Sequence, residues 1–180
     1  MDNSLQAEVV RYWRSAGASQ WFGKQPDFDV HFRERFLDLH EAVIRSEHDD
    51  WAGAPEGSLA LLILLDQFPR HAFRGTRRMY ATDALALRFA YKAFAADQMS
   101  AVSVELRWFF CLPFAHSEIL ADQEVSVALS ATLGPERLCR AQGHRNIIAR
   151  FGRFPHRNQI LGRESTPHER EFLETGGFAG

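Results

Sequence analysis

Ser58-Leu59-Ala60-Leu61-Leu62-Ile63-Leu64-Leu65-Asp66-Gln67-Phe68-Pro69-Arg70 is the stretch on which the fold turns. From Leu59 to Leu65 no residue is polar, so this segment has no solvent face and belongs at the centre of the molecule. Buried strands and buried helices both show such runs. Leucine and alanine, rather than β-branched residues, make it a helix. The run stops at Asp66, far short of the ~20 residues that cross a bilayer, so it reads as a core helix. Pro55 and Gly57 predict a break before it, with Ser58 as its first residue, and Pro69 and Gly75 predict its end.

Outward from this segment the pattern stays helical. Leu5, Val9, Tyr12 and Trp13 share one helical face, with Ser4 placed to cap and Gly17 beyond the end. Phe28, Phe32, Phe36, Leu39, Val43 and Ile44 repeat at three- and four-residue steps, and Asp27 is the expected cap. Asp83 is expected to cap a helix to Phe94, and Ser103 one that starts at Val104 and stops before Pro113. Further helices are expected from Ser117 to Ala131 and from Pro135 to Phe151, with Pro135 in the first position, where a missing N–H is harmless. Thr166 and Glu169 have capping-box spacing around Pro167, which predicts a closing helix to Leu173. Residues 152–163 read as a polar loop. The expectation is one all-α domain of roughly eight helices spanning residues 1–180, without strand or internal repeat.

The 180 residues are 46% hydrophobic and 24% charged, the balance of a globular chain with a real core. A net charge of -2 gives no overall attraction to nucleic acid or to an anionic membrane, and neither is expected as a partner. Cys111 and Cys139 have no CxxC spacing and read as reduced, small core residues. Met1 to Glu8 lacks the apolar core of a signal peptide, so the cytoplasm is the expected location.

Three segments put hydrogen-bonding side chains beside strongly apolar ones. In the first, Asp66, Gln67 and Arg70 close the apolar helix, with Asp66 and Arg70 four apart: a buried ion pair that orders the helix end, or part of a site. In the second, His116, Glu118, Asp122 and Gln123 lie within eight residues. If Glu118 and Asp122 are a helical turn apart they share a face and suit acid–base work or metal ligation; the plainer alternative is a Ser117 cap with two acids near the helix start. The third holds His144, Arg150, Arg153, His156, Arg157, Asn158 and Arg163. Between Gly134 and Arg163 there are seven arginines, and Glu136 is the only acid. Arginine forks suit phosphate or carboxylate; alternatively these arginines neutralise the acidic stretches Glu47 to Asp50 and Glu118 to Glu124.

Common catalytic signatures are missing from the chain: no G-x-x-x-x-G-K-[ST], no G-x-G-x-x-G, no H-E-x-x-H and no G-x-S-x-G. His116-x-Glu118 matches half of a zinc-deaminase pattern, whose P-C-x-x-C half is absent. No resident metal or named cofactor is assigned.

Longer strings carry a family resemblance. Trp21-Phe22-Gly23, Leu65-Asp66-Gln67-Phe68-Pro69-Arg70, Phe73-Arg74-Gly75-Thr76, Leu112-Pro113-Phe114-x-His116-Ser117-Glu118, Asp122-Gln123-Glu124 and Arg150-Phe151-Gly152-Arg153-Phe154-Pro155-His156-Arg157-Asn158 occur in this order. From about Val9 to Phe172 the chain resembles the bacterial domain of unknown function 924 family. The resemblance implies an all-helical fold classed with the tetratricopeptide-like right-handed superhelices, and it implies no activity. The chain lacks the legible period of about 34 residues of that class, so the usual peptide groove is not expected.

Two functions fit these features. In one, the chain binds an anionic small molecule, as an enzyme or a binder. His116, Glu118, His144 and His156 are then the candidates for proton transfer, and Asp66, Gln67, Arg70, Asp122, Gln123, Arg150, Arg153, Arg157, Asn158 and Arg163 the candidates for ligand binding. In the other, a helical scaffold meets a protein partner through apolar positions such as Trp51 or Phe178, and the polar strings only wire the core.

Overall fold

The computed structural model describes residues 4–178; Met1 to Asn3, part of the segment read for a signal peptide, lie outside the described residues. Among the described residues every regular element is helical, and eight main helices are joined by shorter helical turns. Helix α1 (Leu5–Ala16) starts as expected, with Ser4 Oγ accepting the Ala7 N–H, and ends at Gly17 with φ 74°. Helix α2 (Pro26–Ile44) begins two residues earlier than expected, because Pro26 takes the first position; Asp27 therefore lies inside the first turn and does not cap.

The apolar segment departs most from expectation. Helix α3 covers residues 55–72 as three continuous pieces: Pro55–Leu62, a π turn Ile63–Gln67, and Phe68–Ala72. Pro55 starts the helix instead of breaking the chain. Gly57 is helical, and small because a Cβ there would lie 2.2 Å from the Trp51 carbonyl oxygen. Pro69 does not end the helix. It has no N–H, and its ring would press on the Leu65 carbonyl of a regular helix. The π turn widens the helix at that point, and the Phe68 N–H reaches back to Ile63 O. Three successive carbonyls then take side-chain donors: Leu64 O accepts from His40 Nδ1 (2.9 Å), Leu65 O from Thr82 Oγ1 (2.6 Å) and Asp66 O from Arg70 (2.7 Å). A proline inside a buried helix is thus tolerated because α2 and the residue ahead of α4 complete its hydrogen bonding.

Helix α4 (Asp83–Ala95) is flanked by Thr82, so Asp83 is its first residue, not its cap, and its carboxylate is left for other partners. Helix α5 (Trp108–His116) starts later than expected, after a 3-10 turn at Val104–Leu106, and runs three residues past the buried Pro113. Helix α6 (Leu120–Ala131) follows an extended connection through Ser117 and Ile119, so Ser117 does not cap it. Instead the buried Gln123 amide donates to the carbonyls of Ala115 (2.8 Å) and Ser117 (2.7 Å), closing the end of α5. Helix α7 (Pro135–Phe151) and helix α8 (Pro167–Glu174) occur as expected, α8 with both halves of its capping box formed. The expected loop between them contains a 3-10 turn, Pro155–Arg157, and a helical turn, Asn158–Leu161.

Helices α1, α2, α4 and α5 pack around α3, and α6 and α7 pack onto α5 in turn. Leu59 to Leu65 and Phe68 are buried, and each of the leucines, Ile63 and Phe68 contributes roughly 1.5–3 kcal/mol by removal from water. Around them Trp13 meets Phe32 and Phe109 at 5.3 Å ring separation. A second, smaller apolar cluster holds Ile147, Ile148 and Phe154 with Phe151 and Phe172. Cys111 is buried as expected, whereas Cys139 is exposed on α7. No helix among the described residues is long and apolar enough to cross a membrane.

If the π turn depends on these side-chain donors, Thr82→Val keeps the shape but leaves the Leu65 carbonyl without its donor. Urea unfolding is expected to show a loss of about 1–3 kcal/mol, with Thr82→Ser close to the parent; a valine variant as stable as the parent would contradict this account.

Candidate functional site

A cavity of about 830 Å³ opens between the two apolar clusters. Trp21, Trp108 and Leu112 line it from the main core, with the half-exposed Phe22 against Trp108, and Ile147, Phe151, Phe154 and Phe172 from the smaller cluster. Its polar lining has one sign. Five arginines, Arg70, Arg74, Arg140, Arg150 and Arg157, and four histidines, His71, His116, His144 and His156, reach it, whereas no aspartate or glutamate is among the lining residues.

The carboxylates stand behind this wall. Asp66, 1% exposed, sits in the π turn and accepts from His116 Nδ1 at 2.6 Å and from the Gln67 amide, with Arg70 at 3.2 Å. Asp83, at the start of α4, takes Arg70 through two bonds (2.8 and 3.1 Å) and Arg157 at 3.2 Å. Arg157 also donates to the His116 carbonyl at 2.9 Å and lies 4.6 Å over the rings of Tyr80 and Phe154. This chain of charges joins α3, α4, the end of α5 and the turn Pro155–Arg157.

Burial alone would raise the Asp66 pKa, but Arg70, His116 and the Gln67 bond outweigh it and hold the carboxyl well below the usual range. An ionised Asp66 can only accept, so His116 Nδ1 must donate to it. Burial, helped by Arg70, lowers the His116 pKa and keeps the ring neutral, which leaves Nε2 as a lone pair. That nitrogen has no hydrogen-bond partner among the described residues, and His116 lines the cavity. His144 is pushed down to about 3, by burial first and then by nearby His116, His156 and Arg157; His156 is pushed down to about 4 by burial and Arg157. The Nδ1 atoms of both, and Arg157 Nε, are buried without a partner.

The sequence candidates divide. Gln67, Arg70, His116, His144, Arg150, His156 and Arg157 line the cavity, with Asp66 directly behind His116. The others are engaged elsewhere. Glu118 takes Arg163 through two bonds (2.7 and 3.0 Å) and the Phe154 N–H at 2.7 Å. Arg153 forks onto Glu169 (2.6 and 2.9 Å), and Asn158 links Glu169 to Arg163. Asp122 accepts from Tyr91 and Ser117, and Gln123 is the clasp on α5. Glu118 and Asp122 do not pair, because α6 starts only at Leu120 and the helical spacing assumed for them does not exist. Among the described residues no three His, Cys, Asp or Glu side chains gather as a metal site. Part of the arginine-rich segment does neutralise the stretch from Glu118 to Glu124, through Arg163 and Arg145, whereas Glu47 and Asp49 use Arg45 and Arg88 instead.

Sequence reasoning missed Asp83, Tyr80 and the aromatic wall of Trp21, Phe22 and Trp108. Asp83 was hidden by its resemblance to a helix cap; only Trp21-Phe22 stood in a string of note.

The family described as "Bacterial protein of unknown function (DUF924)" matches residues 9–177. The chain belongs to this family. Its structure is similar to that of ATU0120, a protein of unknown function from Agrobacterium tumefaciens, with a TM-score of 0.93 and 52% identity over 96% of this chain and 98% of that one. Among curated proteins nothing matches.

His144 and His156 are neutral when folded and take up protons when unfolded below about pH 6.5. Their contribution to stability in this family member is complete above that pH and is lost as pH falls toward their folded values, about 3 for His144 and about 4 for His156. Heteronuclear NMR is expected to show both imidazoles unprotonated from pH 8 down to 5; titration of either near 6.5 would contradict the burial argument. His144→Gln should flatten the decline in stability below about pH 6.5.

Proposed function

We propose that the chain is a general-base enzyme that holds a small organic anion in the cavity between its two apolar clusters. The arrangement that carries this reading is His116, backed by the ionised Asp66 at 2.6 Å, with its second nitrogen free in an arginine-lined cavity that has no carboxylate on its wall. About 830 Å³ falls within the range of small-molecule sites.

The chemistry follows from the atoms. His116 Nε2 takes a proton from water or from the ligand, and the resulting imidazolium is stabilised by Asp66, which also fixes the ring's tautomer. Arg157, with Arg150 nearer α8, offers donors to the ligand's negative charge. No serine, threonine, cysteine or lysine is among the lining residues, and water or the ligand itself is taken as the nucleophile, without an acylated side chain. Trp51 and Phe178, the apolar side chains expected to serve a scaffold, both make contacts within the molecule, although Phe178 stays 42% exposed. Trp51 is half-buried against the main core and Phe178 leans on His144.

A thermal-shift screen with carboxylated and phosphorylated metabolites tests the binding half. Some members should stabilise the protein, by about 2.7 kcal/mol at a hundredfold excess over Kd, and Arg157→Ala should remove most of that gain. With a turned-over compound in hand, His116→Gln should lower kcat by about 10²–10⁴ while leaving binding near the parent's. Stabilisation by no anion, or an undiminished kcat in the glutamine variant, would sink the proposal.

A further inference from the structure

The chain's own tail shows what kind of group the cavity accepts. Beyond α8 the backbone turns sharply at Gly176, with φ 85°, and the Gly177 N–H bonds to Phe172 O at 2.8 Å. A Cβ at Gly177 would lie 2.4 Å from that oxygen, so the turn needs glycine. It delivers the Phe178 ring onto two cavity imidazoles, 4.8 Å from His144 at 67° and 5.1 Å from His156 at 82°. Both imidazoles in turn meet Phe154, at 5.6 and 5.5 Å. On Phe154 lies the Arg157 guanidinium, whose buried Nε has no partner.

This is a seat for one aromatic ring, in a cavity whose wall Arg150 and Arg157 also line. Its present occupant fits it poorly. Phe178 is still 42% exposed, and among the described residues its contacts are ring contacts without a hydrogen bond. A ring bearing an anionic group would make the same edge-to-face contacts and bring its charge into the arginine-lined cavity.

We propose that the ligand is an aryl anion, a carboxylate or phosphate carried on an aromatic ring, and that Phe178 occupies the ring's seat until the ligand displaces it. The proposal rests on the anion-binding reading of this cavity and adds the chemistry of the ligand's body.

Calorimetry on the full chain, with benzoate, phenyl phosphate, cyclohexanecarboxylate, acetate and inorganic phosphate, tests it. Benzoate or phenyl phosphate should bind, and comparison of the two identifies the anionic group. Cyclohexanecarboxylate should bind about two- to tenfold more weakly than benzoate, having no ring quadrupole for the edge-to-face contacts. Phe178→Ala should tighten the aryl anions by about tenfold if the tail fills the seat roughly nine-tenths of the time. Equal binding of the aromatic and saturated rings overturns the proposal. So does a Phe178→Ala variant whose aryl affinity is unchanged or reduced, because Phe178 would then be wall or bystander. If acetate and inorganic phosphate bind as tightly as the aryl anions, the aryl proposal fails while the anion site stands. If none of the five binds, the anion-site reading itself fails.

Discussion

A carboxylate buried in the most apolar helix of the molecule is the constraint on which the rest depends. Asp66 is ionised and almost wholly removed from water, a position that costs several kcal/mol unless cations and donors surround it. Arg70 comes from one turn further along the same helix, Gln67 is its neighbour, and His116 arrives from α5, fifty positions away. The widened turn at residues 63–67 makes this possible, because it changes the direction of the helix's polar groups where Pro69 would otherwise disrupt it.

From that point polarity spreads in layers. Asp66 and Asp83 form an inner row of acids, Arg70 and Arg157 a middle row that shares them, and the imidazole of His116 faces outward with one nitrogen committed and one free. The small apolar cluster around Phe154 does not merge with the main core; it is tied across by Arg157 and by Glu118, which holds Arg163 and the Phe154 N–H. The cavity is the space these ties leave open. Its cationic wall comes from having the acids behind it and the arginines on it, rather than from an excess of arginine over the molecule as a whole.

What could be read from sequence was what neighbouring residues decide among themselves. The Ser4 cap, Pro135 in first position and the Thr166–Glu169 box are local hydrogen-bond patterns, and each is present. Asp27, Asp83 and Ser117 have the same local appearance but are not caps: Gln25, Thr82 and Ile119 hold those boundaries, Asp83 accepts from Arg70, and Ser117 donates to Asp122. Pro69 and Pro113 are helix breakers by propensity and lie within helical segments here. The donors that make Pro69 tolerable, His40 and Thr82, lie 24 and 17 residues from the carbonyls they serve, so no local pattern announces them. The same holds for the site. The Asp66–Arg70 spacing predicted a pair, and the pair exists, but its extension through Asp83 to Arg157 spans 74 residues. Among the arginines of the C-terminal segment, composition gave no means of separating Arg150 and Arg157, which face the cavity, from Arg153 and Arg163, which bind carboxylates.

The protonation of one imidazole bears most directly on the account. Nitrogen-15 chemical shifts of His116 at neutral pH are predicted to show a protonated Nδ1 and a bare, pyridine-like Nε2, with that preference weakened in Asp66→Asn. A His116 that is doubly protonated at pH 7, or that carries its single proton on Nε2, would contradict a general base held by Asp66.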